Sequence, residues 1–191
     1  MQTDLIFDSL LEKISSFHQI TPLFVQKLKS LINFRELNRG DLLIQAGYGT
    51  THLWFMFEGF AREVGQDEEL ERTSWFYFAG DFMYAYPAFF SQLPAFRDIE
   101  IISKSIVVEI SYKDLINLRK EFEELNMIID LARGFCESER ARYASENHTL
   151  TARERYEQFY DRHKGLFNIA RHKDIASFLR IKSDGFRRYN H

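Results

Sequence analysis

Hydrophobic positions divide the 191-residue chain into a helical beginning, a strand-rich middle and a helical end. In residues 3–32, apolar side chains such as Leu10 and Ile14 recur at intervals of three and four, which is the period of a helix with one buried face. Thr21 followed by Pro22 is typical of an N-cap and the first position of a helix. The pattern therefore predicts helices at the start of the chain.

Short apolar runs separated by turn residues follow from Phe34 onward. Turn sequences such as Arg39-Gly40-Asp41 and Gly65-Gln66-Asp67-Glu68 divide these runs into predicted strands. The strands are predicted at residues 34–37, 42–46, 53–57, 60–64, 73–78, 99–103 and 106–111. Their short length and nearly even spacing predict an antiparallel sandwich or barrel. The many aromatic residues of this segment are interpreted as the filling of the barrel, with a stacking surface for bases as the alternative.

The region from Ser111 to His148 is predicted to be a long helix with two apolar stripes. One stripe repeats at alternating spacings of four and three and contains Leu125, Ile129, Ala132, Cys136 and Tyr143. The other contains Phe122, Ile128, Leu131 and Phe135. Two stripes indicate two partners, the chain's own sheet and the same helix of a second subunit, and we assign the first stripe to the dimer. The alternative is one broad face buried inside a monomer.

Charge is distributed unevenly along the chain. Residues 1–150 carry 15 Lys and Arg against 23 Asp and Glu, whereas residues 151–191 carry 10 against 5. The first segment therefore has a net charge of −8 and the last a net charge of +5, within an overall charge of −3. A basic end on an otherwise acidic protein favours binding of nucleic acid at that end, and a solvated basic tail is the alternative.

Residues 174–189 have the spacing of a helix-turn-helix. Ile175 and Leu179 place two apolar groups on one helix face, and Ile181 supplies an apolar plug after a tight turn. In such a motif the second helix enters the major groove of DNA. The residues predicted to contact DNA are Lys182, Ser183, Asp184, Arg187 and Arg188. Arginine suits guanine edges and phosphates, although many short helical hairpins share this spacing.

The order of these elements and several short motifs resemble the superfamily of bacterial transcription regulators that includes the cyclic AMP receptor protein and the oxygen sensor FNR. The matching motifs are Arg39-Gly40-Asp41-Leu42-Leu43-Ile44 with Gly47, Phe57-Glu58-Gly59-Phe60, Gly80-Asp81-Phe82, Val107-Val108-Glu109-Ile110-Ser111, Thr151-Ala152 with Glu154-Arg155-Tyr156, and Ile175-Ala176 with Leu179 and Ile181. The resemblance implies a homodimer with two β-rolls, a paired central helix and two helix-turn-helix motifs on a near-palindromic site.

The chain departs from the family pattern in two places, and each departure leads to an expectation. Members that bind cyclic nucleotides hold the ribose and phosphate with a Gly-Glu pair and an Arg-Ser or Arg-Thr pair, where this chain has Tyr84-Ala85 and Ala95-Phe96. These four residues and Arg97, two positions after Ala95, are the predicted effector pocket. No cyclic nucleotide cofactor is expected, because a buried phosphate needs a cationic partner, and Arg97 is the one residue that could supply it. Arg180 stands where the family usually has glycine in the turn, so a left-handed residue at a cost of about 1 kcal/mol is expected.

Other chemistry has little support in the sequence. The single cysteine excludes an internal disulfide and a four-cysteine metal or iron–sulfur site, and it favours a reducing compartment. The six histidines are scattered without metal-ligand spacing, and no catalytic motif has supporting context, so neither a metal site nor an enzyme is expected. An acidic amino terminus and the absence of a membrane-length apolar run favour a cytoplasmic protein without a membrane partner.

These patterns, together with the resemblance, predict an α+β protein with an antiparallel β-roll of jelly-roll or double-stranded β-helix type, flanking helices, a long dimerisation helix and a small winged-helix or helix-turn-helix domain. We place the domains at residues 1–148 and 149–191. The expected function is a transcription regulator that binds double-stranded DNA as a homodimer, with a small-molecule effector left open. The alternative is a ligand- or partner-binding β-roll whose degenerate helix-turn-helix no longer reads DNA.

Overall fold

A computed structural model of the chain describes residues 2–67 and 70–189, without the side chains of residues 2, 67, 70, 183, 184 and 187. Its helices are α1 (Gln2–Ser15), α2 (Pro22–Lys29), α3 (Ala88–Ser91), α4 (Tyr112–Glu121), α5 (Glu123–Thr149), α6 (Ala152–Arg162), α7 (Lys164–Phe167), α8 (His172–Phe178) and α9 (Ser183–Tyr189). Its strands are β1 (Asn33–Leu37), β2 (Leu42–Ile44), β3 (His52–Glu58), β4 (Ala61–Asp67), β5 (Leu70–Tyr77), β6 (Phe82–Met83), β7 (Asp98–Ile101) and β8 (Ser105–Ser111).

The strands form two antiparallel four-stranded sheets, in the orders β1-β8-β3-β6 and β2-β7-β4-β5. Each predicted strand is present, and the predicted α+β fold with an antiparallel roll is confirmed. The sequence pattern missed β6, a two-residue strand that pairs Phe82 and Met83 with β3. Such a short segment carries no alternation from which a strand could be inferred.

The helical starts follow local capping chemistry. The Thr21 hydroxyl accepts a hydrogen bond from the N–H of Phe24 at 3.2 Å, with Pro22 at the first helical position, as predicted. The Thr151 hydroxyl and the Glu154 carboxylate form a reciprocal capping box at the start of α6. Each cap satisfies N–H groups that the first turn of a helix leaves without partners.

The single long helix predicted from Ser111 onward is wrong in one respect, because the chain breaks it at Phe122. This residue has φ of −130° and ψ of 109°, which ends α4 and begins α5. Its ring is buried and packs edge-to-face on Phe24, with ring centroids 5.5 Å apart. Burial of the Phe122 ring against α2 therefore accompanies the change in helix direction, and hydrophobic periodicity alone does not show this break.

Two hydrophobic clusters divide the core. The larger one joins α1, α2, α4 and the first half of α5 to the roll. The smaller one contains Phe76 and Ile102 of the roll, Tyr143 of α5 and the buried residues of α6 to α9, including Phe159 and Phe178. The C-terminal helices therefore share a core with the roll across the position where we divide the chain, and the two-domain division remains a prediction.

Candidate functional site

The last two helices, α8 and α9, form a hairpin with a tight turn. Arg180 in this turn has φ of 53°, the left-handed conformation predicted for the position. The N–H of Ile181 donates to the carbonyl oxygen of Ala176 at 2.9 Å, and the Ile181 side chain is buried. The hairpin thus has the predicted geometry of two short helices around an apolar plug.

Helix α6 supports this hairpin from behind. The guanidinium of Arg155 donates to the carbonyl oxygens of Leu150 at 2.6 Å and Leu179 at 2.8 Å, so it links the start of α6 to the turn. Phe186 of α9 is buried and packs edge-to-face on Tyr156 of α6, with centroids 5.3 Å apart. These contacts fix the position of α9 relative to α6.

The residues predicted to contact DNA lie on α9 and just before it. Lys182 and Arg188 are exposed to solvent. The side chains of Ser183, Asp184 and Arg187 lie outside the described residues, and their predicted role stays a prediction. The positive charge at Lys182 and Arg188 is therefore accessible to an anionic partner.

The first helix of the hairpin, in contrast, packs on the chain's own roll. Phe178 contacts Phe76 of β5 edge-to-face, with centroids 5.4 Å apart. The Ser177 hydroxyl accepts a hydrogen bond from the N–H of Thr73 at 3.2 Å. Helix α8 is therefore positioned by β5 as well as by α9.

A buried ion-pair cluster reinforces this packing. Arg62 of β4 is 3% exposed and lies 2.9 Å from the Asp174 carboxylate of α8, which is itself buried. The same guanidinium contacts Glu100 at 2.7 Å and Glu71 at 3.0 Å. A buried cation of this kind needs several hydrogen-bonded carboxylates to offset its loss of hydration.

The residues predicted for an effector pocket are not gathered around one cavity. Tyr84, Ala85 and Ala95 are buried, whereas Phe96 is 66% exposed. Arg97 is exposed and contacts the Glu63 carboxylate at 3.3 Å. Of these five residues, Tyr84 alone lines the cavity of about 800 Å³ that is bordered by α1, β3 and α5.

Glu63 of β4 is the centre of a second buried cluster. Its carboxylate accepts hydrogen bonds from Arg140 of α5 at 2.8 Å, from the Ser74 hydroxyl at 2.8 Å and from the Tyr77 hydroxyl at 3.1 Å. Burial opposes ionisation of this carboxyl, yet the Arg140 guanidinium and the hydrogen bonds keep the pKa of Glu63 below its ordinary value. The cation Arg97 is thus already paired with an internal anion.

Sequence reasoning missed Arg62, Glu63 and Arg140. A usable signal was present, because Arg62 and Glu63 are adjacent charges between the apolar pair Phe60-Ala61 and Val64. Neighbouring residues on a strand face opposite sides, so two such charges predict a buried partner on each side of the sheet. The identity of those partners depends on helices more than 70 positions away in sequence.

The stripe predicted to pair with a second subunit is largely used inside the chain. Leu125 and Ile129 are buried in the larger cluster, and Tyr143 is buried in the smaller one. Ala132 and Cys136 are half-buried and line the cavity described below. The assignment is wrong for Leu125, Ile129 and Tyr143, because the roll and the C-terminal helices cover that side of α5.

Another apolar row of α5 faces solvent. Met127, Leu131 and Phe135 follow one another at intervals of four and are 54%, 47% and 50% exposed. The Phe135 ring contacts Phe17, in the turn just after α1, with centroids 6.2 Å apart, and the Lys13 ammonium of α1 lies 5.3 Å from its centre. The row of Met127, Leu131 and Phe135, called here the exposed row, is the face of α5 open to a partner.

A cavity of about 800 Å³ is bordered by α1, β3 and α5 and lined mainly by apolar side chains. Asp81 and His163 are among its polar lining residues.

Burial raises the pKa of Asp81 to about 6. Burial, together with the positive charges of Arg162 and Arg142, lowers the pKa of His163 to about 4. The His163 ring stacks on Phe78 at 4.2 Å and its Nε2 lies 2.9 Å from the Tyr143 hydroxyl, which suits a neutral imidazole.

These two groups give opposite pH dependences of stability. The lowered pKa of His163 stabilises the fold above about pH 6.5, and this contribution is lost as pH falls towards 4. The raised pKa of Asp81 contributes stability below about pH 4, which is lost as pH rises through 6. We expect H163Q to flatten the loss of stability on acidification. D81N should stabilise the protein at pH 7.5 by about 1–2 kcal/mol, because it removes a carboxylate whose charged form is disfavoured by burial; solvent screening of a partly buried group keeps the gain this small. Urea unfolding from pH 4 to 8 measures both, and parallel curves for all three proteins would contradict the assignment.

The remaining structural searches cover residues 2–67 and 70–189 only. Within these residues there is no group of three His, Cys, Asp or Glu side chains arranged to hold a metal ion. The same residues contain no helix that is both long and apolar enough to cross a bilayer.

Comparison with known proteins gives structural likeness alone. No family model and no curated protein matches the sequence. The c-di-GMP-responsive global regulator CLP of Xanthomonas campestris aligns over 88% of this chain and 89% of its own, with a TM-score of 0.67 and 15% identity. A cyclic nucleotide-binding domain of Methylobacillus flagellatus aligns over 77% of this chain and 84% of its own, with a TM-score of 0.65 and 16% identity.

The third comparison covers the largest share of this chain. The catabolite activator protein of Thermus thermophilus aligns over 92% of this chain and 84% of its own, with a TM-score of 0.55 and 18% identity. At such low identity these likenesses establish the fold and nothing further. The chain has the cyclic-nucleotide-binding β-roll, followed by a long helix and C-terminal helices, that is found in regulators of the catabolite activator type.

Proposed function

We propose that the protein is a DNA-binding transcription regulator of the cyclic AMP receptor and FNR type. The observation that carries the proposal is the C-terminal hairpin, which has helix-turn-helix geometry and exposes Lys182 and Arg188. This hairpin belongs to the segment whose net charge is +5 in an otherwise acidic chain. Phosphates are attracted to that end and repelled by the rest, so double-stranded DNA is the partner that fits.

A homodimer formed through α5 would present two hairpins to one duplex. The exposed row supplies large apolar side chains, and Gly134, Ser138 and Ala141 on the same exposed side of the helix are small enough for a second helix to approach closely. A twofold axis along this face makes the contact self-complementary, as closed dimers require. Two hairpins related by that axis suit a near-palindromic site.

The roll would act as the sensor without a cyclic nucleotide. Arg97 is committed to Glu63, and the buried Tyr84, Ala85 and Ala95 offer no second cation for a phosphate. The cavity beside α5 has the size of a ligand pocket and a mainly apolar lining, which suits a small apolar effector. A regulator of this kind is not an enzyme and works in the cytoplasm.

Replacing the two exposed cations tests DNA binding. We expect K182A/R188A to weaken binding to genomic fragments at least tenfold at low salt and to reduce the salt slope by about two, because each lost phosphate contact releases about one counterion fewer. Fluorescence anisotropy over a salt series measures both quantities. K104A/K113A removes the same charge from exposed positions of the roll and α4 and should leave the slope unchanged. Negligible binding by the unmodified chain at low salt would end the proposal.

A second candidate function is a ligand- or partner-binding roll that no longer reads DNA. The packing of α8 on β5 favours it, since one helix of the hairpin is used internally. The two functions differ in the same experiment, because a binding module shows no salt-dependent affinity for duplex and no effect of K182A/R188A on it.

A further inference from the structure

The contact between the roll and α8 has the chemistry of a specific docking site. We call the set of Arg62, Glu71, Glu100, Asp174 and Arg171 the docking contact. Arg62 and Asp174 are 3% and 4% exposed, so this ion pair lies out of water. Because a buried charge without its partner is strongly unfavourable, separating α8 from the roll requires both groups to find water or new partners. The pair therefore favours one position of α8 over intermediate ones.

Arg171, the cation at the start of α8, is also paired with carboxylates of the docking contact. Nε of Arg171 lies 2.8 Å from Oδ2 of Asp174, and its Nη2 lies 3.4 Å from the Glu71 carboxylate of β5. The hydrogen bond to Asp174 raises the pKa of Arg171 above its ordinary value. In a helix-turn-helix the first helix crosses the DNA backbone, so its leading residues are placed to contact phosphate. In this chain the carboxylates of Asp174 and Glu71 bind Arg171 in the way that phosphate oxygens of DNA would.

Strand β4 connects this contact to the long helix. Arg62 reaches α8 from one face of the strand, and the adjacent Glu63 reaches Arg140 of α5 from the other. A shift of α5 relative to the roll would therefore act on the strand that carries Arg62. Strand β4 therefore connects α5 physically to α8 of the hairpin.

We propose that the docking contact is an autoinhibitory contact, in which Arg62 holds α8 on the roll through Asp174 and the carboxylates of Asp174 and Glu71 withhold Arg171 from DNA phosphate. Arg62 is thus a positioning residue for DNA binding. The inference rests on the proposed function for its DNA part and on the structure alone for its docking part. Regulation would consist of opening this contact.

The variant D174N tests both parts in the full-length chain. It keeps the shape of the side chain and removes the charge that Arg62 and Arg171 share. We expect amide hydrogen exchange in α8 to accelerate at least about tenfold while exchange in β1 and β8 is unchanged. We also expect affinity for a short mixed-sequence duplex to rise about two- to tenfold, with a salt slope steeper by about one.

Two further variants keep the outcomes distinct. E157Q removes one negative charge from the exposed α6 pair with Arg153, so it controls for net charge without touching α8. E71Q alters the half-exposed partner and should show the same changes as D174N at smaller size, which also covers failure of D174N to fold. Faster α8 exchange with no duplex binding by any chain would overturn DNA reading and support the docking role. Duplex binding by D174N and E71Q equal to that of E157Q, with unchanged α8 exchange, would overturn the inference and leave the proposed function standing.

Discussion

E63Q is expected to lower the free energy of unfolding by about 3 kcal/mol, because it leaves the Arg140 guanidinium without its anion. Arg140 has an 18% exposed side chain and lies 2.8 Å from the Glu63 carboxylate. Glutamine fills the same space but cannot offset the hydration that Arg140 lost on burial. The melting temperature should fall by about 6–12 °C, measured by calorimetry and by urea unfolding at pH 7.

Comparison variants separate charge from packing in this prediction. E36Q changes an exposed carboxylate that lies 3.6 Å from the exposed Lys104 ammonium, and it should alter stability by less than about 0.5 kcal/mol. The triple variant E63L/Y77F/R140M removes both buried charges together with the buried Tyr77 hydroxyl that bonds to them, and it should recover most of the loss, since apolar residues of similar volume can replace a buried pair. Equal stabilities of E63Q and E36Q would refute the central place given to this carboxylate.

L131E/F135E is expected to convert the proposed homodimer into single chains. The two side chains are about half exposed and lie on the exposed row, where a second α5 would bury them. Aromatic and leucine anchors at the centre of an interface contribute about 2 kcal/mol or more each, and a homodimer loses each anchor twice, so the dissociation constant should rise by a factor of roughly a thousand or more. The carboxylate introduced by F135E would lie near the chain's own Lys13, whose ammonium is 5.3 Å from the Phe135 ring centre, so the fold of each chain should be retained.

Sedimentation equilibrium across a concentration series measures this change, and circular dichroism reports whether the fold persists. L93E introduces the same kind of charge at a leucine that is 52% exposed in the loop before β7, and it should leave association unchanged. A wild-type chain that sediments only as a monomer at every concentration would refute the dimer proposal, whatever the variants do.

Local chemistry explains why so much of the fold was predictable. Thr21, Ser111 and Thr151 each begin a helix through a cap whose partners lie within three residues. The left-handed conformation of Arg180, with φ of 53°, was expected from the resemblance, because the family usually has glycine at that position of the turn. Strand positions followed from turn residues placed between short apolar runs.

The candidate site was predictable only in part. The hairpin and the exposed positions of Lys182 and Arg188 followed from sequence, since both depend on spacing within about 15 residues. Which stripe of α5 remains open to a partner did not follow, because both stripes are apolar and the choice depends on where the roll lies. The paired state of Arg97 was also inaccessible, since its partner Glu63 is 34 positions away.

The sequence by itself determined most of the element order, the antiparallel pattern of short strands, the helix caps and the basic hairpin, because each depends mainly on residues close in sequence. It did not determine the short strand β6 or the break at Phe122. Only the tertiary structure decided that Arg62 and Glu63 face two different helices, that Asp174 ties α8 to the roll and that Met127, Leu131 and Phe135 remain exposed. Burial and ion pairing are properties of surfaces that meet across long sequence separations. A sequence pattern indicates that a buried charge needs a partner, whereas the packing of the folded chain determines which residue that partner is.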